Sequence, residues 1–235
     1  MTLHAGMSSI AAAGLAGLLL STSNDRDPPF RLDDLPNLSM TFAGRHHGAP
    51  ATATYSVQHE ECDAAKCLHI LWQASFNRIE SWVRPDGRPI RSVCNKIETG
   101  EDIVIAYTMD GAIYRYHKQG TSKTTTVQRP GLVEVLVIDI MLLAYPFDHP
   151  RRIEFPIINT DSDDGTTYTM YAELTGVETL TVAGAKIEAY KITLGLTGLF
   201  GAFAPDLFFW YSVRAPHRYL KYQGPDESFE LSGGG

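Results

Sequence analysis

Hydrophobic and polar residues alternate along most of the chain from Leu38 onward. Alternation with a period of two is typical of strands that have one buried face and one solvated face. Turn signals separate these runs at short, fairly regular intervals, and the Asp-Gly pairs at 86–87 and 110–111 are of the kind that close β-hairpins. The pattern predicts a mainly β protein built as a single antiparallel meander. The clearest predicted strands are 102–109, 112–117, 123–128, 167–174, 177–182 and 186–194.

One run, residues 131–147, does not alternate. It is apolar nearly all round and too long for a typical strand. It is either a buried helix or helix-like segment ended by Pro146, or a strand followed by a short helix, and periodicity cannot distinguish the two. A helix lying across the concave side of a curved sheet would explain why this run has no polar face.

A second unusual run, residues 194–213, gathers large apolar side chains around glycines and a proline. Such a segment is either a buried loop that fills a barrel or an exposed apolar tip that contacts a ligand, a lipid surface or a partner protein. The glycines favour an adaptable loop, so we expect ligand or partner contacts here. The residues concerned are Leu199, Phe200, Phe203, Leu207, Phe208, Phe209 and Trp210.

The N-terminal region contains an apolar run at 10–20 that has the length of a signal-peptide core and is too short to cross a bilayer as a helix. It lacks the basic residues that usually precede such a core. We interpret residues 1–37 as a degenerate export signal followed by a Pro-rich linker, with a packed N-terminal helix as the alternative. Residues 38–235 then form the β domain, located in the periplasm or cell envelope.

The stretch HEECDAAKCLHI contains two cysteines between two histidines, which are ligand types for zinc. We interpret it as the tip of a hairpin with a four-residue turn, in which Cys62 faces Cys67. Successive side chains alternate between faces, so His59 and His69 would lie on opposite sides of the sheet. Export also favours disulfides. A Cys62–Cys67 disulfide is therefore preferred over a metal site, and Cys94 is left as a small buried residue.

Charge and motifs exclude several functional classes. The net charge of −7 gives no general attraction to phosphate backbones, so nucleic acid is not an expected partner. The acidic turn at 161–165 lacks the spacing of a calcium loop, and no Gly-x-Ser-x-Gly elbow occurs. The pair His46-His47 and the pair Asp148-His149 could supply a general base, but the sequence shows no matched partner for either. We expect no metal and no cofactor.

The C-terminal half, at 175–194 and 209–224, resembles an exported bacterial family of unknown function. Its pattern is Gly-x-Glu, Ala-Gly and Ala-x-Lys, followed by a Trp-x-Ser…Pro…Lys-Tyr strand, and Glu178, Gly184, Lys191 and Trp210 match it as turn, strand and packing positions. The resemblance implies a strongly curved antiparallel sheet, similar to the half-barrels of periplasmic lipoprotein and lipid carriers, and it implies no catalytic residues. The expected fold is thus a single curved antiparallel meander, a half-barrel or barrel.

Three functional hypotheses follow. The first is an exported, non-catalytic protein that binds a hydrophobic ligand, a lipid or acyl chain, in the half-barrel beside Phe200, Phe203 and Trp210. The second is an envelope structural or assembly subunit that uses the 194–213 loop as a protein interface, with a membrane surface or an envelope protein as partner. The third is a hydrolase that uses His149 or His217. We rank them in this order, and enzymatic activity is not the favoured hypothesis.

Overall fold

The structure is a computed structural model that describes residues 28–201 and 204–234. Within those residues, fourteen strands form one open antiparallel sheet, which confirms the predicted fold class. The strands are β1 (Leu38–His46), β2 (Ala49–Cys62), β3 (Ala65–Ala74), β4 (Asn77–Val83), β5 (Pro89–Lys96), β6 (Glu101–Thr108), β7 (Gly111–Lys118), β8 (Thr121–Val127), β9 (Ile153–Ile158), β10 (Thr167–Val182), β11 (Ala185–Leu196), β12 (Leu207–Ser212), β13 (Tyr219–Gln223) and β14 (Glu227–Gly234).

The strand order shows how the chain makes one sheet from two meanders. Strands β1 to β8 follow one another on one side, and β9 to β14 follow one another on the other. The two meanders join where β1 pairs with β14, in the middle of the sheet. Strands β8 and β9 are therefore the two edges, and the chain between them must travel from one edge of the sheet to the other.

Residues 131–147, here called the crossing segment, make most of that connection and lie over one face of the sheet, called the inner face. The segment contains only a short α-helix, α1 (Ile138–Met141), and a 3-10 turn (Leu142–Ala144). A second short helix, α2 (Gly198–Gly201), follows β11. The rest of the crossing segment is irregular. The predicted alternatives were a helix or helix-like segment ended by Pro146 and a strand followed by a short helix; the structure shows a short helical segment that ends before Pro146 and no strand within the described residues 131–147.

The crossing segment has an identifiable reason to be irregular. It is rich in Val and Ile, whose β-branched side chains are poor helix formers. Two of its acids also bind nearby backbone donors: a Glu134 carboxylate oxygen accepts from Leu136 N at 2.9 Å, and the Asp139 carboxylate accepts from Ile140 N at 3.0 Å. Local bonds of this kind compete with helical ones. The segment is held instead by burial against the sheet.

The β2–β3 hairpin closes through a two-residue turn, whereas the sequence predicted four. Asp63 and Ala64 have φ values of 50° and 61°, the left-handed conformation that two-residue hairpin turns require. Cys62 consequently lies opposite Ala65, and the predicted direct pairing of Cys62 with Cys67 is wrong by two residues. Because side chains repeat every two residues, this shift leaves each side chain on its predicted face.

The predicted disulfide between Cys62 and Cys67 is confirmed, and it runs diagonally across the hairpin with a Cα–Cα distance of 5.8 Å. The two neighbouring histidines have separate surroundings. His59 Nε2 hydrogen-bonds the Leu35 carbonyl oxygen at 2.8 Å, while His69 lies on the other face of the sheet. The two histidines therefore do not share a metal site with these cysteines.

The Pro-rich stretch before β1 is packed against the sheet from Phe30 onward. The Phe30 ring meets Phe155 edge to face at 5.3 Å, and Leu32 N donates to the Pro85 carbonyl at 2.7 Å. Both Phe30 and Leu32 are buried. A Cβ at Gly87 would overlap the Phe30 carbonyl oxygen, which explains glycine at that turn. The predicted export signal lies in residues 1–27, outside the described residues. Among those described, no helix is long and apolar enough to span a membrane.

Candidate functional site

A cavity of about 200 Å³ lies between the crossing segment and the inner face of the sheet. Its wall is mostly aromatic, and the eight rings are Phe42, Tyr55, Trp72, Phe76, Phe209, Tyr219, Tyr222 and Phe229. Smaller apolar side chains complete it: Ala53, Ile79, Val135, Leu136, Ile138, Leu194 and Leu207. The polar residues of the wall are Asn77, Asp139 and Glu227. The cavity thus draws on both meanders and on the crossing segment.

The rings of the wall support one another in edge-to-face and tilted arrangements. Phe42 meets Tyr55 with ring centroids 6.0 Å apart and planes at 84°, and Trp72 meets Phe76 at 5.5 Å and 66°. Such pairs add about 0.5–1.5 kcal/mol each beyond burial of their area. The rings are therefore fixed in place by their neighbours, and the wall is pre-formed.

Asp139 is the polar centre of the cavity, and it is surrounded by hydrogen-bond donors. Its main-chain oxygen accepts from the Tyr211 hydroxyl at 2.7 Å. Its carboxylate accepts from Ile140 N, and the hydroxyls of Tyr55 and Tyr219 also hydrogen-bond it. Burial raises the pKa of Asp139 to about 6, and these hydrogen bonds offset part of that rise.

The raised pKa affects what this carboxyl group can do. Because the pKa lies near 6, Asp139 is mainly ionised at pH 7 but changes charge within a mildly acidic range. An ionised carboxylate only accepts hydrogen bonds. At neutral pH the polar end of the cavity is therefore suited to a hydroxyl, an amide N–H or an amine, and it disfavours a second carboxylate.

Glu134 is a second buried acid on the crossing segment, in different surroundings. The Ser92 hydroxyl donates to its carboxylate, and the Ser81 hydroxyl donates to Ser92 at 3.0 Å. Leu136 N donates to the same carboxylate. Burial raises the pKa of Glu134 as well. The three side chains Ser81, Ser92 and Glu134 are fully buried, so the group ties the crossing segment to β4 and β5.

The structure divides the predicted 194–213 cluster between the two faces of β12. Leu207 and Phe209 point into the cavity. Trp210 lies on the opposite face, where its indole N–H donates to the Glu178 carboxylate at 3.0 Å and Lys221 lies 5.0 Å from its ring. Phe208 lies on that opposite face too, with the Lys191 ammonium 4.8 Å from its ring. The side chains of Leu199 and Phe200 and the whole of Phe203 lie outside the described residues.

The predicted catalytic histidines His149 and His217, and the buried Ser92 and Cys94, do not form a reactive set. Ser92 is fully buried, so a substrate could not reach its hydroxyl. Burial raises the pKa of Cys94 to about 11, which makes that thiol a poor nucleophile and agrees with its predicted role as a buried residue. The ring of His217 packs 4.4 Å from Phe147, and its Nδ1 hydrogen-bonds the Ser212 carbonyl. His149 is an exposed loop residue.

Several residues of the cavity were missed by sequence reasoning, although signals for them exist. Tyr55 and Trp72 stand on the apolar face of the β2–β3 hairpin. Tyr219 and Tyr222 lie three positions apart on β13, and a register shift against β12 between them lets both line the cavity. Asp139 is one of two acids, with Glu134, in the mostly apolar run 131–147, which is an unusual place for a charge. The sequence could not predict that these residues lie together, because their proximity depends on the pairing of β1 with β14.

Comparison with known proteins supports the fold and leaves function open. No family model matches the chain, and no curated protein matches it. A solved structure from Brucella abortus, described as a beta-barrel-like protein of domain of unknown function DUF1849, superposes with a TM-score of 0.54 at 7% sequence identity. The match covers 86% of this chain and 96% of that one. At this identity the likeness concerns fold alone, and it places this chain among proteins with a beta-barrel-like fold.

Proposed function

We propose that this chain is an exported, non-catalytic binding protein that holds the apolar part of a lipid or acyl-chain compound in the cavity beneath the crossing segment. The observation that carries the proposal is the cavity wall, where eight aromatic rings surround a single buried aspartate. Ligand sites are typically concave and mostly apolar, with a few polar groups that fix orientation. The wall has that composition.

The size of the cavity limits how much of a ligand it can enclose. Its volume of about 200 Å³ is below the roughly 300–1,000 Å³ of sites that enclose drug-sized molecules. It is suited to one acyl chain segment or one ring system, and the remainder of a larger lipid would lie outside.

Asp139 narrows the ligand further. An ionised carboxylate in an apolar wall repels a second carboxylate, and bringing like charges together costs several kcal/mol. A chain that ends in a hydroxyl, an amide or an amine would satisfy Asp139 instead. The proposed ligand is therefore a neutral or cationic amphiphile, and a free fatty acid is disfavoured.

Export is supported by the disulfide between Cys62 and Cys67. Disulfides persist in oxidising compartments such as the periplasm and are rare in the cytosol. A carrier of apolar molecules also has an evident use in an aqueous compartment between membranes. We therefore propose the cell envelope as the location.

The test begins with native mass spectrometry of the full-length protein purified from its own envelope fraction. We expect a bound mass in the range of a lipid. Competition with the fluorescent probe N-phenyl-1-naphthylamine then measures affinity. At pH 7.5 dodecanol should displace the probe at a concentration at least about tenfold below the concentration of dodecanoate that does so.

A matched pair of variants locates the site. Ala53→Phe fills the cavity from β2 and should weaken binding of the probe at least tenfold. Thr52→Phe adds the same ring to the exposed neighbouring position and should leave binding unchanged. Thermal unfolding followed by circular dichroism checks that both variants fold. Full binding by a folded Ala53→Phe protein, or a wild-type protein that neither carries nor binds any of these compounds, would overturn the proposal.

A further inference from the structure

Three parts of the fold meet at one corner of the sheet, beside the cavity. His46 is the last residue of β1 and pairs with Glu227, the first residue of β14. The turn after β5, which carries Glu98, is held there by a hydrogen bond from Ile97 N to the Phe76 carbonyl at 2.9 Å. Glu227 also lines the cavity, so this corner forms part of the cavity rim.

Two adjacent histidines can reach one point here because of the turn conformation. In a continuous strand, His46 and His47 would point to opposite faces. His47 instead has a left-handed φ of 47° and begins the two-residue turn with Gly48. The two imidazole rings come within 4.3 Å of each other, measured between centroids. The turn therefore converts a neighbouring pair into a convergent pair.

The donor atoms lie close enough together for small side-chain movements to bring them to one metal ion. One imidazole nitrogen of each histidine and one oxygen of Glu98 all lie within 4.8 Å of one another. His46 Nε2 is 3.1 Å from Glu98 Oε2. Zinc binds nitrogen and oxygen at about 2.0–2.2 Å, so two ligands of one ion stand about 3 Å apart. Small movements of the His47 side chain, which is exposed, would complete the set.

The other side of the His46 ring supplies an independent indication. His46 Nδ1 lies 2.6 Å from a Glu227 carboxylate oxygen, and the ring stacks on Phe76 with centroids 3.6 Å apart and planes at 4°. A neutral imidazole has one N–H, so donation from Nδ1 to Glu227 leaves the Nε2 lone pair directed at Glu98. Metal-binding histidines are typically oriented by a carboxylate in this way.

We propose that His46, His47 and Glu98 bind a divalent transition-metal ion of the zinc class, with Glu227 orienting His46 and solvent filling the remaining position. Two imidazoles and one carboxylate suit zinc, copper, iron or nickel, whereas magnesium and calcium prefer oxygen ligands throughout. The inference does not rest on the proposed binding of apolar ligands, since none of the three ligands lines the cavity.

The experiment is isothermal titration calorimetry with zinc chloride and, separately, magnesium chloride, using full-length protein without a polyhistidine tag. We expect one zinc ion per chain and no comparable magnesium binding. Glu98→Gln and His47→Asn should each weaken zinc binding at least tenfold, and asparagine is chosen because it accepts the left-handed backbone. Glu227→Gln should weaken it by about tenfold to a hundredfold, the usual effect of losing an orienting carboxylate.

The control is His117→Asn, which removes another histidine, on β7, that hydrogen-bonds Ser122. Zinc affinity should be unchanged in this variant, and circular dichroism should show all four variants folded. Two results would overturn the proposal: wild-type protein that does not bind zinc stoichiometrically, or Glu98→Gln and His47→Asn proteins that each bind zinc as tightly as wild type. His46 would then serve only to hydrogen-bond two carboxylates. Retention of the naphthylamine probe by Glu98→Gln separates this outcome from failure of the proposed function.

Discussion

Glu134 and Asp139 are both buried acids on the crossing segment, five positions apart, and they illustrate two uses of a carboxyl group inside a protein. Burial raises the pKa of each. Glu134 is enclosed by hydroxyl and backbone donors that belong to β4, β5 and its own segment. Asp139 has donors around it too, but it also forms part of the cavity wall.

Both carboxyl groups are desolvated, so desolvation does not distinguish them. They differ in whether a molecule bound in the cavity can reach the carboxyl group. A buried polar group that is fully satisfied holds elements in place, and removing one partner leaves the others unpaired. A buried polar group at a cavity can also exchange a bond with a bound molecule. We therefore expect changes at Glu134 to affect stability alone, and changes at Asp139 to affect stability and ligand preference together.

The largest expected effect is that of Glu134→Ala. The variant leaves the Ser92 hydroxyl and Leu136 N–H buried without their acceptor, so the free energy of unfolding should fall by about 3 kcal/mol. Urea unfolding followed by circular dichroism measures it. Affinity for the naphthylamine probe should stay within about twofold. A loss below about 1 kcal/mol would show that the Ser81–Ser92–Glu134 group does not hold the crossing segment.

The raised pKa of Asp139 should make the stability of the protein depend on pH. Below its unfolded-state pKa of 3.8, the carboxyl is protonated in both states. Between pH 3.8 and about 6 the unfolded chain ionises first, so stability should fall as pH rises, and above about 6 this contribution is constant. A shift of this size corresponds to a loss on the order of 3 kcal/mol, an upper figure for one site.

Asp139→Asn removes this ionisation, so the comparison is between wild type and variant across pH 4 to 7. The variant should gain stability relative to wild type as pH rises through that window. Urea unfolding at half-unit intervals measures the difference. At pH 7.5 the same variant should lose the preference for dodecanol over dodecanoate. A difference between the two proteins that does not change with pH would contradict the raised pKa of Asp139.

The smallest expected effects are those of two hydroxyl deletions, one beside each acid, and their combination tests whether the two hydrogen-bond groups are independent. Tyr211→Phe removes the hydroxyl that binds the Asp139 carbonyl, and Ser81→Ala removes the hydroxyl that binds Ser92. Each should lower stability by about 1 kcal/mol. Because they belong to separate hydrogen-bond groups, the double variant should be additive within about 0.5 kcal/mol. Strong coupling between them would mean that the two acids respond as one unit through the crossing segment.

The strands and the disulfide could be predicted because both depend on local information. Alternation defines which face of a strand is buried, and two cysteines near a hairpin turn are close whatever the detailed register. The predicted register was wrong by two residues. It depends on a left-handed turn at Asp63 and Ala64, and the sequence Asp-Ala is not one of the pairs that usually predict such a turn. The face assignments survived this error because of their period of two.

The candidate sites could be predicted less well, because both require contacts between distant parts of the chain. Phe208 and Trp210 were grouped with Phe209 by sequence proximity, yet neighbours on a strand point to opposite faces. His46 was predicted without a carboxylate partner, whereas the fold brings Glu98 and Glu227 to it, 52 and 181 positions away. Long-range pairing of this kind leaves no periodic signal.

The pairing of β1 with β14 has a consequence for how the molecule is assembled. Each meander can form through hairpins between consecutive strands. The junction between the meanders, however, requires residues 38–46 to pair with residues 227–234. Loop closure over such a separation is slow compared with hairpin formation. We therefore expect the β1–β14 pairing to form after the hairpins of each meander. Since His46 and Glu227 face each other across that pairing, the rim of the cavity would be completed late in folding.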